Sequence, residues 1–243
     1  MTISYIAKNN DYWLNVQLQG GPVVAVPYGL KIDRTGQAIN PATKKPDGRE
    51  HFKILEGVNK GKLASISTTG PAAEKNFDAT IRHGGGVTVT FNRAKQSLMF
   101  AGRGPANAFS GGGHMGFTAV SSGSYALAIP AFPSKQTRAA YNTWCKHHNL
   151  WFRIGVSLAG SRFLHPGAIS EGCVTVRQFL YDPALGVPPG GFADLADFAA
   201  SAPGLIGLPL PKTRAACVGW DAIVDTLILS RVSDQAVGTL VVT

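Results

Sequence analysis

A histidine and a cysteine stand within one short segment, in residue types and spacing that suit nucleophilic catalysis. His165 ends an apolar run, and Cys173 follows eight positions later, directly after Ser170, Glu171 and Gly172. A thiol beside an imidazole is the minimal equipment of a cysteine nucleophile, because the thiolate attacks while the histidine takes and returns the proton. We therefore expect a Cys–His pair, provided that the fold brings the two side chains together.

The segments around this pair have the composition of strands. Residues 174–176 (VTV) are β-branched, and an apolar run precedes His165. Two strands joined by a tight turn that contains Pro166 and Gly167 would place the imidazole and the thiol side by side. We expect an imidazolium–thiolate ion pair as the resting state, because a cationic ring lowers the thiol pKa. The alternative is a β-hairpin with a buried cysteine and a structural histidine.

The order of these features resembles the active-site motif of the L,D-transpeptidase catalytic-domain family, which has a histidine on a strand, a loop, then Ser-x-Gly-Cys and a second strand. The resemblance implies that Cys173 is the acyl-accepting nucleophile and His165 its base. It implies that Ser170 and Gly172 shape the turn and the oxyanion-binding backbone. The implied activity is cysteine-dependent acyl transfer on peptidoglycan stem peptides, as transpeptidation, carboxypeptidase cleavage or D-amino-acid exchange, with no metal or cofactor.

Four positions depart from that family's pattern. Pro166-Gly167 stands where the family has a glycine directly after the histidine, and the loop to the cysteine is shorter. Glu171 replaces a second histidine of the motif, and Thr175 stands where many members carry an arginine that holds a substrate carboxylate. The motif therefore supports the Cys–His pair better than it supports the substrate contacts.

Four side chains are our candidates for contacts with the substrate. Arg177 is four positions after Cys173 and shares its face in a regular strand, so we expect it to bind a substrate carboxylate. The alternative for Arg177 is a solvated surface arginine. Tyr125, His114 and Glu171 are the further candidates for the cleft. Arg162 is three positions before His165, an odd offset that places it on the opposite face of its strand.

The whole chain is predicted to be mainly β (α+β), with a few packing helices. We expect a β-rich N-terminal extension over residues 1–84 and an L,D-transpeptidase-like sandwich or barrel over residues 85–243. The strand pattern of 87–91 and 97–101 predicts a hairpin, which resembles the opening hairpin of that family. Residues 177–219 form an insertion that we expect to act as a lid or a substrate wall.

Four further segments have patterns that predict local structure. Arg34 to Arg49 is polar with two prolines and two glycines, which predicts an exposed loop. Pro71 to His83 and Ser134 to His148 have the apolar spacing of helices, and His147 or His148 is a further cleft candidate. Trp220 to Arg231 carries the clearest helical stripe, and we expect that stripe to be core.

Composition narrows the classes of partner. The formal net charge of +9 favours anionic partners. No zinc-finger spacing, aromatic RNA-binding strand or basic helix accompanies that charge, so we expect cell-wall polymer and no nucleic acid. Cys145 and Cys217 match no zinc or disulfide pattern and are expected to be buried apolar side chains. No window approaches the roughly 20 apolar residues of a membrane span.

The N-terminus lacks a basic region followed by an apolar core, which argues against a secretory signal. Either the mature chain has been trimmed, or it leaves the cell by a route that needs no such signal. The second alternative gives the hypothesis of an antibacterial effector that a contact-dependent (type VI) system delivers to the periplasm and cell wall, with an immunity protein as its partner. The alternative is a non-catalytic cell-wall-binding or phage-structural module that keeps the fold.

Overall fold

Strands dominate the described part of this computed structural model, of which 53% is strand and 7% helix, so the prediction of a mainly β fold is confirmed. The structure describes residues 2–7, 13–68, 76–81, 84–111, 118–131, 133–134, 149–155, 162–167, 170, 172–177, 218–232 and 235–243. Most of the helix predicted over 134–148 and of the insertion predicted over 177–219 lies outside the described residues, as do Cys145, Cys217, His147 and His148.

The first seven strands belong to one antiparallel sheet. They are β1 (Thr2–Ile6), β2 (Trp13–Leu18), β3 (Val23–Pro27), β4 (Lys31–Ile39), β5 (Pro46–Ile54), β6 (Leu63–Ser67) and β7 (Phe77–Asp78). Their order in the sheet is β3-β2-β6-β5-β4-β1-β7. Alternation along the strands gathers apolar side chains such as Ile32, Phe52 and Ile54 on one face, where they form a core of their own.

The prediction of an exposed loop from Arg34 to Arg49 is wrong. Strands β4 and β5 run through most of it and pair with each other, with irregularities in register. Asn40 makes the turn, because its side-chain oxygen accepts hydrogen bonds from the backbone N–H groups of Ala42 and Thr43 at 2.9 and 3.2 Å. The polar composition reflects a hairpin whose outer half is exposed, and Pro46 is tolerated as the first residue of its strand.

The helix predicted from Pro71 to His83 is also wrong where it is described. Phe77 and Asp78 form β7 and pair with β1. The Phe77 ring packs edge-on against Phe52, and the Arg34 guanidinium lies 4.6 Å from its centroid. These contacts with the sheet override the helical spacing of the segment.

The last eight strands close into a barrel. They are β8 (Val87–Asn92), β9 (Ser97–Phe100), β10 (Arg103–Phe109), β11 (Gly123–Ala128), β12 (Phe152–Ile154), β13 (Arg162–Gly167), β14 (Val174–Arg177) and β15 (Ala236–Val242). Their order is β10-β14-β13-β12-β11-β15-β8-β9, and β9 pairs with β10 to complete the ring. The predicted hairpin of β8 and β9 is present.

Two pairs in the barrel are parallel, β8 with β15 and β13 with β14. The close approach of β8 to β15 requires Gly238, since a Cβ there would clash with the carbonyl oxygen of Val87. The parallel pairing of β13 with β14 has the larger consequence for function, because it decides which side chains lie beside the histidine.

Helix α1 (Val218–Leu229) packs between the barrel and the N-terminal sheet. Its buried stripe is the predicted one and consists of Trp220, Ile223, Val224, Leu227 and Ile228. These side chains share one core with the barrel interior and with Tyr5, Trp13 and Tyr28 of the N-terminal part. In the part of the chain that the structure describes, no helix has the length and apolar content needed to cross a membrane.

Arg231, two residues after the end of α1, fixes the helix to the N-terminal sheet. Its Nη1 donates to Glu56 Oε2 at 2.8 Å and to the backbone carbonyl of Gly29 at 3.0 Å. The same Glu56 oxygen accepts the backbone N–H of Lys31 at 3.0 Å. The Arg231 side chain is 1% exposed and that of Glu56 10% exposed, so this ion pair is buried.

Candidate functional site

The predicted tight turn after His165 is wrong, because Pro166 and Gly167 belong to β13 itself. Strands β13 and β14 run parallel, and His165 lies opposite Thr175 in the register. Strand β12 pairs with residues 162–164 only, so Pro166 lies beyond the last residue of β13 that pairs with it. A proline is acceptable there because it interrupts no ladder with β12.

Alternation along these strands separates two faces. The face toward the barrel interior carries Phe152, Ile154, Leu164, Val174 and Val176, all members of the barrel core. The opposite face we call the site face. It consists of Phe109, Trp151, Arg153, Phe163, His165, Cys173 and Thr175. Phe109, Trp151 and Cys173 are buried but belong to neither apolar core, so the site face is a separate buried layer on the outside of the barrel wall.

The His165 ring is fixed by three contacts. It stacks on Trp151 with centroids 4.2 Å apart and an interplanar angle of 20°. Its Nδ1 lies 2.9 Å from the backbone carbonyl oxygen of Pro166, and its Nε2 lies 3.1 Å from Thr175 Oγ1. A carbonyl oxygen only accepts hydrogen bonds, so Nδ1 carries the proton and Nε2 accepts from the Thr175 hydroxyl.

Burial makes this histidine neutral. His165 is 1% exposed, and desolvation lowers its pKa from 6.5 to about 4, against a smaller opposing effect of the Pro166 carbonyl. The expectation of a resting imidazolium–thiolate pair is therefore wrong for this arrangement. At neutral pH the imidazole is an uncharged base with its lone pair directed at Thr175.

Cys173 lies in the next row of the same face. Its Sγ accepts a hydrogen bond from the backbone N–H of Phe163 at 3.4 Å, and the residue is 8% exposed. Cys173 is a thiol and not half of a disulfide. Since Cys173 and Thr175 are two positions apart at the start of β14, their side chains are neighbours on this face. The fold thus places Cys173 and His165 in adjacent rows of one face, with the Thr175 hydroxyl at the imidazole.

The turn before Cys173 contains the two predicted motif residues. The Ser170 hydroxyl donates to the carbonyl of Cys173 at 2.7 Å, and Gly172 adopts a φ of 75°, which favours glycine. The Gly172 N–H donates to the carbonyl of Gly111 at 3.0 Å. Both residues shape the turn, but in this state the Gly172 N–H is engaged with Gly111 and is not directed at an oxyanion.

The remaining predicted site residues are not assembled around the thiol. Tyr125 lies opposite Leu240 and packs against the barrel core, and its hydroxyl donates to the carbonyl of Ser121 at 2.9 Å. It is therefore on the interior side of the wall, away from the site face. His114 and Glu171 lie outside the described residues, and of Arg177 the structure describes only the backbone, which pairs with Gly167.

Five residues of the site face are not among the predicted site residues. Thr175 is noted in the sequence only as a departure from the family pattern, and the sequence gives no role in the site to the other four, which are Phe109, Trp151, Arg153 and Phe163. The spacing of Cys173 and Thr175 in one strand could have indicated the hydroxyl. The placement of Trp151 and Arg153 depends on the pairing of β12 with β13, which no local pattern specifies.

The described residues include no group of three or more histidine, cysteine or acidic side chains that could hold a metal ion. Comparisons with known protein families, with curated proteins and with solved structures give no match. The site's geometry and the motif in the sequence therefore carry the functional argument.

Proposed function

We propose that this protein is a cysteine-dependent acyltransferase or peptidase that acts on peptidoglycan stem peptides, with Cys173 as nucleophile and His165 as base. The observation that carries the proposal is the site face, where a thiol and an oriented neutral imidazole occupy adjacent rows in a buried layer. The L,D-transpeptidase-like motif supplies the substrate class.

The proposal routes the proton of the thiol through the Thr175 hydroxyl to His165. Nε2 is the only basic nitrogen of the neutral ring, and the Thr175 hydroxyl already donates to it. The hydroxyl oxygen takes the S–H proton as it passes its own proton to Nε2, so the ring becomes an imidazolium while sulfur attacks. Cys173 then forms the bond to the scissile carbonyl carbon, and the carbonyl oxygen becomes an oxyanion.

Collapse of the tetrahedral intermediate breaks the amide bond. The imidazolium returns its proton through Thr175 to the leaving amine, which leaves a thioester on Cys173 and restores the neutral ring. Attack by an amine then gives cross-linking or exchange of a D-residue, and attack by water gives carboxypeptidase cleavage. The Gly172 N–H can serve the oxyanion once its bond to Gly111 opens.

The direct test is incubation with a disaccharide tetrapeptide, followed by analysis of the muropeptide products and of the intact protein mass. We expect loss or exchange of the terminal D-residue by the wild type and none by Cys173→Ala. Cys145→Ala is the matched control and should retain activity. A folded wild type that gives neither product nor adduct on Cys173 would refute the enzyme.

The site also has a feature that favours a second candidate, a non-catalytic cell-wall-binding or phage-structural module. Both nitrogens of His165 already have hydrogen-bond partners in place, and the thiol is largely buried, as in a structural His–Thr pair. In that case Cys173→Ala would bind purified cell walls as the wild type does, with the same biological effect.

The proposal extends to antibacterial action in the periplasm, with delivery by a contact-dependent system and protection by an immunity protein. Wild-type protein directed to the periplasm of a sensitive cell should cause swelling or lysis, and Cys173→Ala at equal abundance should not. If the wild-type protein leaves growth unaffected, the antibacterial role is refuted. The acyltransferase activity is then still tested by the muropeptide assay.

A further inference from the structure

Arg153 lies in the same row of the site face as the thiol. Its neighbours along β12, Phe152 and Ile154, belong to the barrel core, so the side chain of Arg153 is on the outer face. Arg153 is directly opposite Phe163, whose backbone N–H donates to Cys173 Sγ. Arg153, Phe163 and Cys173 therefore follow one another across three adjacent strands.

The Arg153 side chain is half-buried and short of acceptors. Its Nε is shielded from solvent, and no described residue provides that nitrogen with a hydrogen-bond acceptor. Leaving a buried donor of a charged group without an acceptor is unfavourable, so such a nitrogen is suited to a ligand that supplies one. Its partner on β11 is Ala128, whose side chain offers no hydrogen-bond acceptor.

The electrostatic surroundings favour an anion. The eight barrel strands contain no aspartate or glutamate. Their four charged residues are Arg103, Arg153, Arg162 and Arg177. Arg162 is engaged with Thr118 Oγ1 at 3.0 Å on the opposite face, so it does not compete for a ligand beside the thiol. No acid on these strands neutralises Arg153.

We propose that Arg153 binds a carboxylate of the acyl donor and thereby places the scissile carbonyl at Cys173. This inference rests on the proposed function and gives it a specificity determinant. Arg153 and Cys173 are separated by two strand spacings, about 10 Å between backbones. The long arginine side chain covers part of that distance, and the one residue between a scissile carbonyl and a terminal carboxylate would span the rest across Phe163, which lies between Arg153 and Cys173. Bidentate pairing with a carboxylate is what a guanidinium does best.

The test compares alkylation of Cys173 by anionic iodoacetate and by neutral iodoacetamide, with rates measured by mass mapping of the Cys173 peptide. Both reagents must reach the same sulfur, so the ratio of the two rates reports the effect of the reagent's charge and not the accessibility of Cys173. Arg153→Gln should lower the iodoacetate-to-iodoacetamide ratio about fivefold, since it removes a positive charge close to the sulfur. Arg153→Lys should keep most of the ratio.

Arg93→Gln is the matched control, because it removes the same charge from an exposed turn between β8 and β9. It should leave the ratio unchanged. In the wild type the preference for iodoacetate should weaken as salt rises, which gives a readout that needs no variant to fold. An equal ratio in wild type and Arg153→Gln, or a Cys173 that neither reagent labels, overturns the assignment.

A second measurement uses substrate, so that the two proposals fail separately. A donor ending in a carboxamide should show a raised KM relative to the carboxylate donor in the wild type, and Arg153→Gln should abolish that difference. If Arg153→Gln shifts the alkylation ratio while no donor turns over, anion binding by Arg153 is supported and the proposed acyltransferase activity is refuted. If the donor turns over and Arg153→Gln changes neither the alkylation ratio nor the KM difference, the proposed acyltransferase activity is supported and carboxylate binding by Arg153 is refuted.

Discussion

The N-terminal sheet and the site face both bury polar side chains, but they satisfy them in different ways. In the sheet, Glu50 pairs with Arg34 at 2.8 Å and Glu56 pairs with Arg231 at 2.8 Å. On the site face, His165 and Thr175 pair with each other, and burial keeps the imidazole neutral. One region fixes charges in place, and the other holds neutral groups whose protons can change position.

This difference separates a structural polar contact from a chemical one. A buried ion pair is stable only while both partners are present and charged, so it tolerates no transfer of its proton. A hydroxyl can donate to a neutral imidazole and accept from an imidazolium, so Thr175 can serve His165 in both states. The site face is thus suited to proton transfer, which the ion pairs of the sheet are not.

The sharpest contrast should come from breaking the ion pair between α1 and the sheet. Arg231→Met or Glu56→Gln leaves one charged or polar partner buried without its counterpart, and we expect a loss of about 3 to 5 kcal/mol in the free energy of unfolding. Urea denaturation measures it. The double variant should cost less than the sum of the single ones, because no uncompensated charge remains.

The exposed pair of His51 with Asp47 is the matched control for that experiment. Asp47→Asn should leave the urea midpoint close to that of the wild type, because a solvated ion pair contributes little. If the Arg231 variants behaved like Asp47→Asn, the buried pair would not be what joins the helix to the sheet.

A pH titration of stability should reveal the neutral histidine. The folded pKa of His165 is about 4 against 6.5 for the ordinary residue, so the unfolded state binds the proton more readily. The stability is fully present above pH 6.5 and is lost progressively as the pH falls to about 4, by roughly 3 kcal/mol in total. His165→Asn should remove that part of the acid dependence, measured by urea denaturation at each pH.

His51→Asn, at a half-buried histidine of the N-terminal sheet, should leave the acid dependence in place. Identical pH profiles for His165→Asn and the wild type would mean that the ring is accessible and charged in solution, which would restore the ion-pair mechanism expected from the motif.

The sequence predicts the proposed Cys–His pair of the site more readily than the residues around that pair. His165 and Cys173 are close in the chain and carry a motif, and the strands around them follow from β-branched composition. The relative direction of those strands was not predictable from a turn signal, because Pro166-Gly167 is typical of turns yet lies within β13. The parallel register with β14 is a tertiary property, and it places Thr175 at the imidazole.

Pairing between strands that are distant in the sequence explains the other residues whose positions were not predicted. Tyr125 is a cleft candidate in the sequence, but its pairing with Leu240 places it on the interior side of the barrel wall. Arg153 stands 20 positions before Cys173 in the chain and reaches the thiol's row only through β13. The segment from Arg34 to Arg49 is polar because its hairpin is largely exposed, and polarity alone does not distinguish such a hairpin from a loop.

Thr175→Val tests whether the hydroxyl belongs to the chemistry. The substitution keeps the shape but leaves Nε2 without its donor in a buried place, so we expect a loss of about 1 to 3 kcal/mol in unfolding free energy. We expect turnover of the tetrapeptide to fall about a hundredfold. Thr175→Ser should restore most of both. Faster alkylation of Cys173 in Thr175→Val would instead mean that the threonine restrains the imidazole.

Ser170→Ala should have the smallest effect on stability. It tests whether a hydroxyl next to the thiol does more than stabilise the fold. The hydroxyl holds the carbonyl of Cys173 at 2.7 Å, and its loss should cost about 1 kcal/mol. Ser110→Ala is the control, because that hydroxyl accepts the Val120 N–H at 2.8 Å and its loss should cost a similar amount. Only Ser170→Ala should change the rate at which iodoacetamide labels Cys173, because only Ser170 fixes the backbone that orients the thiol. Equal labelling rates in the two variants would make Ser170 a stabilising contact of the ordinary kind and leave the orientation of the thiol to Phe163 and Gly172.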